Sequence, residues 1–413
     1  MNLAFFIAKR LITSKETKNS ISSPILKIAI AAIAIGLVMM LIAIATSLGL
    51  KLKIREKIAA FNGHVQIYNY DNNRSEVSVT PVDLNQDFYP EFTDVKGIDH
   101  VQAVAVKAGI IRTAETFEGI LAKGVGADFK WNSFEEFLVE GKVPNFKSKL
   151  NEQSLISKDL ANKLNLKVGD TYLSIFLKDG DLSKAPNNRR FEVTGIYESG
   201  FEELDASYIL IDLRHIQRMN KWAVDEVGHF EVFLGDFDQL QTKTAEIYGK
   251  TVSSLDTQNL GNKYSNIFDW LSLFDFNTAL IIGIMVIVGG INMITALLVL
   301  ILERTQMIGV LKALGSQNWT IRKVFLINAA YLIGLGLFWG NLIGLGFIFL
   351  QDRFQILKFP NPEEYYVTVI PVDISLTNVL LLNFGVMVLC LLMLLIPSYA
   401  ISKISPVKAI KFE

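Results

Sequence analysis

Hydrophobic positions in this chain gather into four long runs. Ile28–Leu50, Thr278–Leu302, Val324–Leu350 and Ile374–Ile401 hold 23, 25, 27 and 28 residues without one Asp, Glu, Lys or Arg. A helix needs about 20 apolar residues to cross the hydrocarbon core of a bilayer, so each run predicts a transmembrane helix. A buried core helix can imitate one such run, but four in one chain describe a membrane protein. The first run exceeds the roughly 7–15 apolar residues of a signal-peptide core and no small-residue cleavage pattern follows it, so it is expected to remain as a span.

Between the first two runs the period changes. His64–Tyr70, Val101–Val106, Thr171–Leu177, Arg190–Tyr197, Ser207–Ile211 and Phe230–Leu234 alternate or are rich in β-branched and aromatic residues, which predicts strands. Lys158–Leu164, Leu213–Met219 and Phe237–Tyr248 carry helical spacing, and Val168-Gly169-Asp170 reads as a turn. The fold class expected is therefore four transmembrane α-helices with a large α+β extracytoplasmic domain, residues 51–277, inserted between helices 1 and 2. Its length suits two parts. Residues 1–27 read as an interfacial helix over Leu3–Ile12 followed by a polar loop. The rest divides into spans at 28–50, 278–302, 324–350 and 374–401, a loop at 303–323, an outer loop at 351–373 and a tail at 402–413.

Flanking charge sets the expected orientation. Lys9, Arg10, Lys15, Lys18 and Lys27 precede the first span against Glu16 alone, and Arg304, Lys312, Arg322 and Lys323 stand in the 303–323 loop against Glu303. Lys403, Lys408 and Lys411 follow the last span, whereas the 351–373 loop holds Asp352, Glu363, Glu364 and Asp373 against Arg353 and Lys358. Both termini and the 303–323 loop are thus expected in the cytoplasm, with residues 51–277 outside. Lys51, Lys53, Arg55 and Lys57 run against this, but large domains translocate largely regardless of charge.

Composition narrows the chemistry. The chain of 413 residues is 51% hydrophobic and 20% charged, with mean hydropathy +0.34 and a net charge of -1 from 40 basic and 41 acidic residues. Such a chain is neither disordered nor a nucleic-acid binder held by bulk charge. One cysteine, Cys390, excludes an intramolecular disulfide. His64, His100, His215 and His229 lie far apart with no H-E-x-x-H spacing, and there is no G-x-S-x-G elbow. Gly249-Lys250-Thr251 ends like a phosphate loop, but Thr244 stands where the first glycine is required. No catalytic set, metal site or cofactor site is expected.

Two further patterns stand out. Gly336, Gly340 and Gly344 recur every fourth residue in the third span, which suits close helix packing within the four-helix bundle. Asn292, Asn328 and Asn383 are expected to pair with neighbouring helices, with Asn341 close to the glycine run. The loop after the second span reads Glu303-Arg304-Thr305-Gln306-Met307-Ile308-Gly309-Val310-Leu311-Lys312-Ala313-Leu314-Gly315. Met307, Val310, Leu311 and Leu314 fall on one face of a short helix, and Gly315 sits where a C-terminal glycine belongs. Lipid or a partner's groove would suit that face equally.

This segment, E-R-T-x-x-I-G-V-L-K-A-L-G, resembles the coupling segment of the permease superfamily that includes the lipoprotein-releasing (Lol) permeases, the macrolide exporter MacB and the cell-division protein FtsX. Pro397-Ser398-Tyr399-Ala400 and Ile404-Ser405-Pro406-Val407-Lys408-Ala409-Ile410 resemble the family's ending, and the order of one span, large domain and three spans covers essentially the whole chain. The Lol permeases are the nearest in pattern, since Phe5–Gly63 followed by His64 is similar to their N-terminal half. The resemblance implies a multi-pass inner-membrane subunit that is not itself an enzyme. A separate cytoplasmic ATPase would bind ATP and Mg and dock on Glu303, Arg304, Met307, Ile308, Val310, Leu311, Lys312, Leu314 and Gly315. It implies further partners: a second permease, homologous or identical, a lipoprotein substrate, membrane lipid against spans one and two, and a periplasmic lipoprotein carrier. The carrier would meet a hook at Lys178–Arg190, represented by Lys178, Leu182, Lys184, Ala185, Pro186, Asn187, Asn188 and Arg189. Read from its residues alone, this segment is a solvated hairpin connection more readily than a hook. Two other classes fit the same layout: a mechanotransmitting permease of the FtsX kind, and a sensor with an external ligand-binding domain.

The orientation has a direct test. A reporter active only outside the cytoplasm should be active when fused after Asn151 and silent when fused after Gln317, and the reverse pattern would overturn the whole arrangement.

Overall fold

Charge-free helix formers can satisfy every backbone N–H and C=O within one helix, which is why apolar runs of this length fold as spans. The computed structural model describes residues 3–13, 23–72, 75–113, 115–147, 150–177 and 186–405. The chain divides into two compact units: Met1–Leu52 with Trp270–Lys358 and Val369–Glu413, and Lys53–Asp269 with Phe359–Thr368.

The first unit is helical. Among the described residues, four helices are long and apolar enough to cross a membrane: α2 (Ser23–Asn62), α8 (Ser265–Glu303), α10 (Asn318–Phe354), and α12 (Leu376–Ser398) continued by α13 (Ala400–Lys403). A short α1 (Leu3–Thr13) precedes them, with Ala4 and Ala8 buried and Leu3, Phe5 and Phe6 exposed. The glycines at 336, 340 and 344 all face α2. A Cβ at Gly336 would stand 2.7 Å from Ile33 Cγ2, one at Gly340 would stand 2.9 Å from the Ala34 carbonyl oxygen, and one at Gly344 would stand 2.8 Å from Leu41 Cδ1. Their partners advance in the same direction, so α2 and α10 run parallel. On an adjoining face of α10, Asn341 and Asn383 of α12 exchange two amide hydrogen bonds of 2.7 and 3.0 Å. Asn328 is buried in the same helix.

The second unit is α+β. Its strands are β1 (Val65–Asn69), β2 (Val82–Asp83), β3 (Ile98–Arg112), β4 (Phe117–Val125), β5 (Leu138–Gly141), β6 (Gln153–Ser157), β7 (Thr171–Phe176), β8 (Asn187–Tyr197), β9 (Tyr208–Asp212), β10 (Glu226–Val227), β11 (His229–Leu234) and β12 (Leu255–Asn259). Helices α3 (Lys158–Leu164), α4 (Glu202–Asp205), α5 (Leu213–Asn220), α6 (Leu240–Lys250) and α7 (Leu260–Lys263) connect them, and α11 (Pro362–Tyr365) comes from the returning segment. Ten strands join in one sheet, while β2 and β10 pair separately.

The pairing has a closed part and an open part. Strands β3, β4, β9, β6, β8 and β7 form a ring, because β7 pairs with both β8 and β3. Its interior is packed with Ile111, Ile120, Ile156, Tyr172, Phe176, Phe191 and Ile209. The same β3, 15 residues long, continues into an open wing of β11, β1 and β12. The two regions of the unit therefore share one strand.

Lys51, Lys53, Arg55 and Lys57, anomalous as flanking charges, are held by structure. Lys51 pairs with Asp275 within the helical unit. Within the second unit Lys53 meets Glu136 at 2.6 Å, Arg55 meets Asp238 at 3.3 Å, and Lys57 donates to the carbonyls of Ser199 and Tyr366 at 2.8 and 2.9 Å.

The glycine contact predicts a graded response. Gly340→Leu should push α10 off α2 and lower stability by about 1–3 kcal/mol, read as an earlier thermal transition in detergent. Gly346→Ala, at a glycine with nothing within 4 Å, should leave the transition in place.

Candidate functional site

Three groups of residues carry the chemistry. The first is α9 (Thr305–Ala313), which follows α8 after a break at Arg304. Its end is fixed by Gly315 at φ +87°: the Gly315 and Ser316 amides donate to Lys312 O and Leu311 O, each at 3.0 Å. These are the two bonds of a Schellman cap, and a residue with a Cβ is strained at that φ. Ile308 is fully buried, and Met307 and Leu311 are half-buried against the same core. The face read from spacing is thus divided. Val310 at 45% and Leu314 at 77% exposure point outward with Gln306 and Ala313.

Lys312 is engaged inside the chain. Its ammonium donates to the carbonyls of Ile401 and Ile404, each at 2.7 Å, and of Ser402 at 3.3 Å, so it caps α13. Arg322 donates to Ser402 Oγ at 2.5 Å and stacks 4.5 Å from the Tyr399 ring. The two motifs that carried the sequence resemblance therefore touch each other. Glu303 and Arg304 form a loose pair at 3.8 Å.

The second group is the β7–β8 hairpin. Its strands pair from Thr171↔Glu192 to Phe176↔Asn187, so β8 starts three residues ahead of the run expected at Arg190. Lys178, Leu182, Lys184 and Ala185 lie outside the described residues. Pro186 and Asn188 are exposed, and Asn187 and Arg189 are half-buried. On the outer face beside the hairpin, register places Ile110 opposite Ile175, and Arg112 opposite both Leu173 and Phe117. Phe117 at 70% and Leu177 at 56% are exposed there, and Arg190 stands opposite Leu173.

The third group was not expected from the sequence. Residues Gln66 of β1, Glu231 of β11 and Gln102 of β3 are cross-strand neighbours on one face of the open wing. Lys123 of β4 lies on the same face and donates to Glu231 Oε1 at 2.6 Å, while Gln102 Nε2 donates to Oε2 at 2.8 Å. Lys263 donates to Asn62 Oδ1 at 3.0 Å and stands 3.3 Å from Glu76 Oε1, and Tyr208 donates to Glu76. His229 Nε2 lies 3.6 Å from Glu231 Oε1, beyond hydrogen-bond range. All of these except Gln102 line a polar cavity of about 200 Å³. Burial by itself would raise the Glu231 carboxyl, but Lys123 and then His229 beside it hold it at about 2. Burial holds His229 below its ordinary value. The available signal was a lone charge inside an apolar strand: Lys123 in Ile-Leu-Ala-Lys-Gly-Val and Glu231 in Phe-Glu-Val-Phe-Leu.

A family model of the MacB-like periplasmic core domain matches residues 28–257, more than half of the chain, and one of the FtsX-like permease C-terminal matches 279–406. The chain belongs to the MacB/FtsX-type permease family. Members that resemble it include the lipoprotein-releasing system transmembrane protein LolC of Xylella fastidiosa (strain 9a5c), 20% identical over 63% of this chain and 64% of that protein. The chain thus spans less than two thirds of that relative. LolE of Haemophilus influenzae is 22% identical over 99% of both chains, and the ABC transporter permease YtrF of Bacillus subtilis is 27% identical over 49% of this chain and 46% of that one. Among solved structures, the extracellular domain of the ABC-type transporter YknZ covers 47% of this permease and 99% of its own chain at 15% identity, with a TM-score of 0.32.

The buried carboxylate predicts a stability that falls in acid. Its folded value, about 2, lies below the ordinary 4.5. Its contribution is therefore complete above pH 4.5 and is lost as pH falls from 4.5 towards 2. Glu231→Gln should flatten unfolding free energy against pH across that window, measured by chemical denaturation of the full chain.

Proposed function

We propose that this chain is the membrane subunit of an ATP-driven transporter that lifts lipid-anchored proteins out of the membrane and passes them to a soluble carrier. In this reading both termini and α9 are cytoplasmic and the α+β unit is periplasmic. ATP and Mg are bound by a separate ATPase, and a second permease, identical or homologous, completes the complex. Acyl chains would lie against α2 and α8, where burial of each CH₂ contributes about 0.8 kcal/mol.

The observation that carries the reading is the outward strip of α9. Val310 and Leu314, at i and i+4, stay exposed on a helix whose opposite side is anchored and whose end is capped. A helix lying on lipid would favour several basic residues on its polar face, but Lys312 is the one basic residue in 305–315 and it caps α13. A protein groove is the better match. Family membership supports an ABC partner, and the names of the LolC and LolE relatives support lipoprotein release. The exposed apolar face beside the β7–β8 hairpin, edged by Arg112 and Arg190, is the place for the carrier.

Leu311 now makes a poor probe of docking, since it faces the chain's own core. Leu314→Asp and Val310→Asp should leave insertion intact while weakening co-purification of the ATPase at least thirtyfold, roughly the loss of 2 kcal/mol at an interface anchor. Retention of the complex with coupled ATP turnover in both variants would refute α9 as the docking element. Loss of ATPase binding with no lipoprotein crosslinked to α2 or α8 would instead identify a mechanotransmitting permease of the FtsX kind.

A further inference from the structure

The last ten residues of α2 and the first five of α8 belong to the second unit. A helix end leaves carbonyls without helical partners, and at α2 one of them is Phe61 O, which accepts from the buried ammonium of Lys123. The terminal residue of α2, Asn62, accepts from Lys263, which ends α7 and precedes α8 by two positions. Glu231 then ties Lys123 to Gln102, and Lys263 lies 3.4 Å from Gln66 Oε1 as well as beside Glu76. Two ammoniums thus bind two helix ends to strands β1, β3, β4 and β11.

Apolar contacts back the same joint. The Phe61 ring packs 4.8 Å from Phe134 and 5.5 Å from Tyr197, and at the start of α8 Phe268 stacks on Phe237 at 5.7 Å. Stability gives no reason for charges here, because replacing a buried ion pair by neutral groups of similar volume is often neutral or stabilising. Nor do the groups read as a ligand site. Lys263 faces three oxygen acceptors, Glu231 accepts from two donors, and Lys123 has the helix carbonyl besides its carboxylate.

We infer that Lys123, Glu231 and Lys263 are positioning residues that form a joint. It clasps the ends of α2 and α8 to the open wing of the sheet, so that movement of either helix reaches the unit as movement of the sheet and not as fraying of a helix end. The use of this joint in an ATP-driven stroke rests on the function proposed above; the joint itself does not.

Three variants of the full chain in lipid nanodiscs test it by hydrogen exchange. Lys123→Met with Glu231→Gln removes both charges, keeps volume and leaves Gln102 an acceptor. Its thermal midpoint should stay within a few degrees, while exchange in residues 58–63 rises about tenfold or more, as loss of a charge-assisted bond requires. The exchanged pair Lys123→Glu with Glu231→Lys restores an ion pair but moves the ammonium to another strand, and residues 58–63 should stay loose. Lys263→Met should loosen 58–63 and 260–268 together, and it carries the test if the double variant does not fold. Unchanged exchange at 58–63, or an equal rise across β6, β8 and β9, would overturn the joint. Loosened helix ends with undiminished ATP-driven release would uphold the joint and remove it from the transport stroke.

Discussion

The continuity of backbone hydrogen bonding through α2 is the constraint on which the rest depends. Forty residues at about 1.5 Å each give a helix of about 60 Å, twice the thickness of a hydrocarbon core. The first half of that length must be apolar because lipid offers no partner to a polar group. The second half is free to be polar, and it is: Lys51, Lys53, Arg55 and Lys57 follow at once. Each has an acceptor in the fold, so the helix persists where a loop would otherwise begin. α8 repeats the arrangement in reverse, starting polar at Ser265 and ending in the apolar run that reaches Leu302.

Within the helical unit, close approach and amide pairing hold what hydrophobicity cannot. Lipid tails are as apolar as leucine, so burial alone gives two spans little reason to meet. The glycines of α10 let its backbone lie against Ile33, Leu37 and Leu41 of α2, and on an adjoining face Asn341 and Asn383 satisfy each other. The connector α9 is anchored in the same spirit: Ile308 is buried, Lys312 holds the final carbonyls, and what remains free is a narrow outer strip. A partner docking there would bear on a helix already fastened to α10 and α13.

The second unit solves a different problem, that of combining a closed ring with an open wing. One long strand, β3, serves both, and the faces alternate along it. Inward positions such as Ile111 enter the core, while outward ones meet either solvent, as at Ile110, or the polar cluster, as at Gln102. The cluster tolerates burial because its charges are paired and hydrogen-bonded; a single unpaired member would carry a large desolvation cost.

The sequence alone determined the spans, the α+β character of the long insertion, and the existence of α9. These rest on run length and period, which are local properties of the chain. It also pointed to family membership, because the coupling and C-terminal motifs are contiguous strings. Only the tertiary structure decided the rest. Hydropathy cannot tell Leu311 from Leu314, so the division of α9 into a buried and an exposed side waited on which neighbours reach it. A glycine stripe announces close packing but not the partner. Closure of the β3–β7 pair, the return of 359–368 into the second unit, and the meeting of Lys123 with Glu231 across 108 positions all arise from contacts between segments far apart in sequence. No local pattern encodes such contacts, since each is fixed by the packing of everything between.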